Sequence, residues 1–141
     1  MPARRPAAHP SPHDGAVDHA CDRGSASLQL VVLMPALFLM MFVGMQAALI
    51  YHGRTVAIAA AQEGARTAAA QASTADAGRS AAVAFVASAG GAGVLSHVAV
   101  TADRQVATAT VVVSGTTLSV VPGWTPQISQ SASAPVERTT G

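Results

Sequence analysis

The chain has 141 residues, a net charge of +1 and eight basic residues, all of them arginine. They form no basic patch, which excludes nucleic acid as a partner bound through charge. Half the residues are apolar but only 4% are aromatic, and alanine carries much of the apolar count. Alanine favours helix and buries little area, so helices without a dense core are expected.

Residues 1–24 are rich in Pro, His, Ala and Asp and show no hydrophobic period. Pro2, Pro6, Pro10 and Pro12 oppose helix there, and a disordered leader is expected. His9, His13, His19, Cys21 and Asp22 fit no zinc-ligand spacing, so no metal site is expected. Cys21 is the only cysteine and excludes an intrachain disulfide. It precedes the apolar run, whereas a lipoprotein cysteine follows one. An incidental thiol is the main reading, with acylation near a membrane as the alternative.

No formal charge occurs between Arg23 and Arg54. A hydrocarbon layer about 30 Å thick needs roughly 20 apolar residues in helix, and this run exceeds that. A transmembrane helix is expected over residues 25–52. The competing reading is a cleaved secretory signal, whose apolar core is usually only about 7–15 residues. Pro35 should kink the helix in its first third. Gln29 and Gln46 are its only strongly polar side chains, and Gly44 with Ala48 offers a small-residue pair for close helix packing.

Residues 53–141 have room for one small domain, of a size that is marginal without help. Helix-forming sequence without proline continues to about Ala72. Glu63 and Arg66 lie one turn apart on it and are placed to pair. Gly64 costs about 1 kcal/mol in a helix relative to Ala, which points to a close helix approach. A second helix is expected from Ser73 as N-cap, with Asp76 in its first turn and Ala82, Val83, Phe85 and Val86 on or near the buried face, ending at Gly90-Gly91.

From Val94 the period becomes two and β-branched residues dominate, which predicts antiparallel strands at about 95–101 and 105–114. Thr101-Ala102-Asp103-Arg104 is the expected turn, and a last strand is expected at 127–134. Trp124, after the Pro122-Gly123 loop, is expected to fill the small β core, with an interfacial anchor as the alternative. The fold class is thus an α+β membrane protein: one transmembrane helix prolonged into a long helix, a second short helix, then a small antiparallel sheet. Nothing in the chain has the pattern of a phosphate loop, a nucleophile elbow or a hydrolase pair. No catalytic residue and no cofactor are expected, and the lone carboxylate of Glu63 lacks a base or nucleophile.

The stretch Arg23-Gly24-Ser25-Ala26-Ser27-Leu28-Gln29 before the run resembles the TadE-like family, pilin-like proteins of the tight-adherence (Tad/Flp) type IV pilus system of bacteria. So does Ala61-Gln62-Glu63-Gly64-Ala65-Arg66 after it, and the Ser/Ala-rich C-terminal end is similar. The resemblance spans about residues 23–137. It implies a membrane-anchored minor pseudopilin or assembly component of a Tad-type pilus or secretion apparatus, single-pass, N-terminus cytoplasmic and C-terminal domain extracytoplasmic. Implied partners are the membrane, other pilin-like subunits, Tad assembly proteins and a prepilin-type peptidase cutting between Gly24 and Ser25. The fifth mature residue, usually a Glu that neutralises a neighbouring terminal ammonium, is Gln29 here. An amide accepts a hydrogen bond but supplies no charge. Glu63, Gly64 and Arg66 become a candidate helix-contact motif. The alternative is a single-pass anchored or secreted protein with a small ligand-binding outer domain and no pilus role.

Overall fold

The computed structural model describes the backbone of residues 18–137 and the side chains of residues 28–137. Helix α1 (Asp18–Ala69) is followed by helix α2 (Ala75–Ser88), a 3-10 turn at Gly91–Gly93, and strands β1 (Leu95–Arg104), β2 (Thr108–Thr117) and β3 (Gln127–Pro135). The strands form one antiparallel sheet in the order β1-β2-β3. The expected order of elements is therefore the observed one.

Several boundaries differ, each for a physical reason. Helix α1 begins at Asp18, so residues 18–23 are helical instead of belonging to an unstructured leader. No proline stands between Pro12 and Pro35 to stop the span's helix from propagating backwards. Residues 1–17, with Pro2, Pro6, Pro10, Pro12, His9 and His13, lie outside the described residues. The transmembrane helix expected over 25–52 is part of one helix that runs on to Ala69.

Thr74, not Ser73, caps α2: its backbone is extended and its side chain accepts the Ala77 N–H at 3.1 Å. On α2 the buried residues are Gly78, Ala82 and Val86, with Phe85 partly buried against the core. Val83 is half exposed, about 100° round the helix from the buried Ala82 instead of on or near that face. The helix stops at Ser88, and Gly90 and Gly91 follow with positive φ, a conformation costly for any residue with a Cβ.

The first two strands are longer than expected, and the turn falls at residues 105–107. The string Thr101-Ala102-Asp103-Arg104 is polar enough to suggest a turn, yet it pairs in register with residues 109–112. A bulge between Ser96 and Ala99 carries His97 at φ 51°. One sheet face is buried through Ala109, Val111, Val113 and Ile128. The other carries hydroxyls, with Thr110 and Ser133 bonded across strands at 2.9 Å.

The core joins Val56, Ala57, Ala60, Ala61 and Ala65 of α1 to Ala82 and Val86 of α2 and to the buried sheet face. Its largest fully buried side chains are Leu95, Val111 and Val113. Small residues let backbones approach closely, and this core gains by proximity what it lacks in side-chain area.

Candidate functional site: the two surfaces of helix α1

Helix α1 presents two kinds of surface in succession. From Leu28 to Met45 its large side chains, among them Val31, Leu37, Phe38, Met40 and Phe42, are all exposed. The stretch Leu28–Ala69 is long and apolar enough to cross a membrane. Gln29 is exposed within this region, and Gly24 and Ser25 lie in the backbone of α1. Gly44 has nothing within 4 Å of where a Cβ would stand, so among the described residues it meets no packing partner.

Beyond Gly53 the helix becomes small-faced and buried. At Gly53 an added Cβ would lie 2.2 Å from Thr117 Cγ2, so the glycine lets the end of β2 rest on the helix. At Gly64 a Cβ would lie 2.8 Å from the Gly78 carbonyl oxygen, 3.0 Å from Ala82 Cβ and 3.1 Å from Val111 Cγ1. The reverse holds at Gly78, where it would lie 2.6 Å from both the Gly64 carbonyl and Ala68 Cβ. The two glycines thus face each other where α1 meets α2, close enough for backbone-to-backbone contact. The close approach at Gly64 lies inside the subunit.

The Ala-Gln-Glu-Gly-Ala-Arg segment divides by face. Ala61, Gly64 and Ala65 are buried, while Glu63 and Arg66 point outward. Glu63 and Arg66 pair across one turn at 4.0 Å, with side chains 46% and 70% exposed respectively. Such a pair contributes only a few tenths of a kcal/mol.

Two polar clamps hold the domain to the helix, and the partners of neither are legible in the sequence. The Arg104 guanidinium donates to the carbonyls of Ala68, of Ala70 at 3.0 Å and of Ser73 at 2.7 Å. The Glu137 N–H donates to the Ala69 carbonyl at 3.0 Å. Together they satisfy the carbonyls of Ala68 and Ala69, which lie in the last turn of α1 and lack intrahelical donors, and a cation there also suits the helix dipole. The available signal was Arg104 falling in step with Val100 and Ala102, which places it on the inner sheet face.

The second clamp is Gln46, only 6% exposed although it belongs to the apolar run. Its Oε1 accepts the Val120 N–H at 2.8 Å and the Ser119 hydroxyl at 3.2 Å. Its Nε2, like Thr117 Oγ1, is buried without a partner. The signal here was a lone amide in an otherwise apolar stretch. Trp124 is 48% exposed, so it is not the β-core residue expected of it; Val111 and Val113 fill that core instead. No cluster of three or more metal-ligating side chains occurs among the described residues.

These features define a class: a protein with one N-terminal apolar helix of membrane-crossing length, carrying a small α+β domain on that helix's second half. Residues 24–66 match the family model described as TadE-like protein, which confirms the resemblance over the Gly24-to-Arg66 segment. The match begins at Gly24 and ends with the Arg66 of the second motif, and it does not extend to α2 or the sheet. No curated protein and no solved structure matches the chain.

Proposed function

We propose that this chain is a structural, non-catalytic component of a Tad-type pilus or secretion apparatus, in the manner of a minor pseudopilin. The family match from Gly24 through the exposed apolar stretch to Arg66 carries the reading. In it, a prepilin-type peptidase removes the leader between Gly24 and Ser25. The apolar half of α1 holds the subunit in the cell membrane, N-terminus inside, and later packs against other pilin-like subunits. The α+β domain stands outside, and Glu63 and Arg66 offer their exposed charges to neighbouring subunits or Tad assembly proteins. An uncharged helix with large exposed side chains suits both lipid and a bundle of similar helices.

N-terminal sequencing of the protein from its native membrane tests this directly. Ser25 as first residue is the expected result; an intact Met1, or a start beyond the apolar run, overturns the processing step. Substituting Gly24 with a bulky residue should leave the longer precursor. A second reading, an anchored protein with no place in a filament, is favoured by Gln29. That position lacks the carboxylate that would neutralise a neighbour's terminal ammonium. Recovery of the subunit in sheared pilus fractions separates the two.

A further inference from the structure

The connection between β2 and β3 forms an apolar tongue. It leaves the sheet at Thr117, which packs on Gly53. Its base is closed by the Thr117 N–H bonding to the Pro126 carbonyl at 3.0 Å. Ser119 and Val120 then reach Gln46, two turns nearer the N-terminus of α1. The tongue thus leans back along the helix at Ser119 and Val120, while its residues Val121 to Thr125 share a cleft with Ser96, His97 and Thr116 at the end of the sheet. It reverses at Pro122-Gly123, where Gly123 has φ 78° and the Trp124 N–H bonds to the Val121 carbonyl at 3.3 Å.

Its composition is unusual for an exposed loop. Leu118, Val120, Val121 and Trp124 are each roughly 40–50% exposed. No charged residue occurs between Arg104 and Glu137. Gln46 lies eight residues before Arg54, about 12 Å along a helix axis at roughly 1.5 Å per residue. The polar layer on each side of the hydrocarbon is only about 5–7 Å deep. With Arg54 at the outer edge of the headgroups, the Gln46 level lies just inside the hydrocarbon boundary. A tongue tethered at that level meets lipid. The chain's one tyrosine, the exposed Tyr51, is then at the depth where aromatic side chains gather, and its one tryptophan, Trp124, is bonded through its backbone N–H to Val121, next to the tethered Val120.

We propose that residues 118–124 are a second membrane element, inserted into the interfacial layer of the outer leaflet beside α1. The domain is then held to the bilayer at two places, the helix and the tongue, which restricts its swivel about the single span. The Gln46 carbonyl oxygen then satisfies the tongue's Val120 N–H where water is scarce. This inference rests on the membrane-span reading of α1.

Because Trp124 is the only tryptophan, the full chain carries its own probe. The protein is reconstituted in phosphatidylcholine vesicles, with or without lipids brominated on the upper acyl chain, and titrated with iodide on both sides of the membrane. Flotation with the vesicles and several-fold stronger quenching by bromolipid than by iodide are expected, unchanged when the protein-to-lipid ratio falls tenfold. Flotation with iodide-dominated quenching overturns the tongue while leaving the span intact. Protection lost on dilution in lipid also overturns it and assigns the surface to a second copy of the chain. Failure to float overturns both readings.

Discussion

The two halves of α1 are apolar in opposite ways. Its N-terminal part, to about Met45, carries Leu, Met, Val and Phe, all exposed. From Val56 to Ala69 the apolar residues are mostly alanine and mostly buried. Large exposed side chains gain free energy only from something outside the chain, lipid or another helix. Small buried ones gain from close backbone approach within it. Side-chain size along one helix therefore separates the surface that serves the environment from the surface that builds the subunit.

The sharpest way to break this comparison is to exchange the two kinds of glycine. Gly64→Leu or Gly78→Val should destabilise the folded domain by about 3 kcal/mol or more, since overpacking against a backbone carbonyl cannot be relieved by a rotamer change. In a domain of this size that lowers the melting temperature by about 10 °C or more. Gly64→Ala is the sterner test, because alanine favours helix by about 1 kcal/mol. Its Cβ would still stand 2.8 Å from the Gly78 carbonyl oxygen, and net destabilisation is expected. Gly44→Leu, with open space around it and a gain in helix propensity, should not lower the melting temperature. Equal effects at Gly44 and Gly64 would erase the distinction between the halves.

The next largest effect is expected where the small-faced half ends. Arg104→Met removes the donor to three carbonyls just where α1 stops, and hydrogen bonds from a charged group are each worth about 1.5–3 kcal/mol. A loss of about 2–3 kcal/mol in denaturant unfolding is expected, with faster amide exchange in the last turn of α1. Arg104→Lys should recover only part of it, because all three carbonyls converge on Nη1, and the lysine ammonium stands one bond nearer the backbone. Unchanged exchange in that turn would show that the helix end is held by the Glu137 N–H and packing alone.

The element order, the antiparallel sheet and the two-motif segment were legible because each depends on local pattern: charge-free length, alanine density, a period of two. Gly64 was legible as a close approach because an unforced glycine in a good helix has a cost that something must offset. What faced it was not legible, since Gly78 lies on another element and pairing between elements leaves no local trace. Arg104 reads as part of a turn because Thr, Asp and Arg together imitate one, and only the distant helix terminus explains an inward arginine. Trp124 was drawn towards the core by the habit of large aromatics, in a core that alanine and valine had already closed. Gln46 stood out, yet its partners 73 and 74 residues away are fixed by a loop whose path no periodicity encodes.

Gln46 marks the border between the halves and gives a smaller effect. Gln46→Leu deletes the acceptor of the Val120 N–H, and one neutral hydrogen bond contributes about 1 kcal/mol. Part of that loss is offset, because the unpartnered Nε2 is removed too. The clear readout is local: the Val120 amide should exchange several-fold faster while Val111 and Val113 in the core stay protected. Unaltered Val120 exchange would mean that the tongue is held by its apolar contacts alone.

The smallest expected effect on stability carries the most information about assembly. Glu63 and Arg66 sit on the outward side of the buried half, paired loosely at 4.0 Å and open to water. Glu63→Gln should change stability by only about 0.3 kcal/mol, or about 1–2 °C in melting temperature. Side chains that do so little inside the subunit are free to act between subunits. Under the proposed role, Glu63→Gln and Arg66→Gln leave the fold intact and reduce recovery of the subunit in the pilus fraction. Restoration by the charge-swapped Glu63→Arg/Arg66→Glu double variant would show that the internal pair is what assembly needs. Failure of the swap to restore it would place the opposing charge on a neighbour. If both single variants assemble normally, the Glu63 and Arg66 contact role is lost. What the segment then contributes is the buried face of Ala61, Gly64 and Ala65, a packing device for α2 and the sheet.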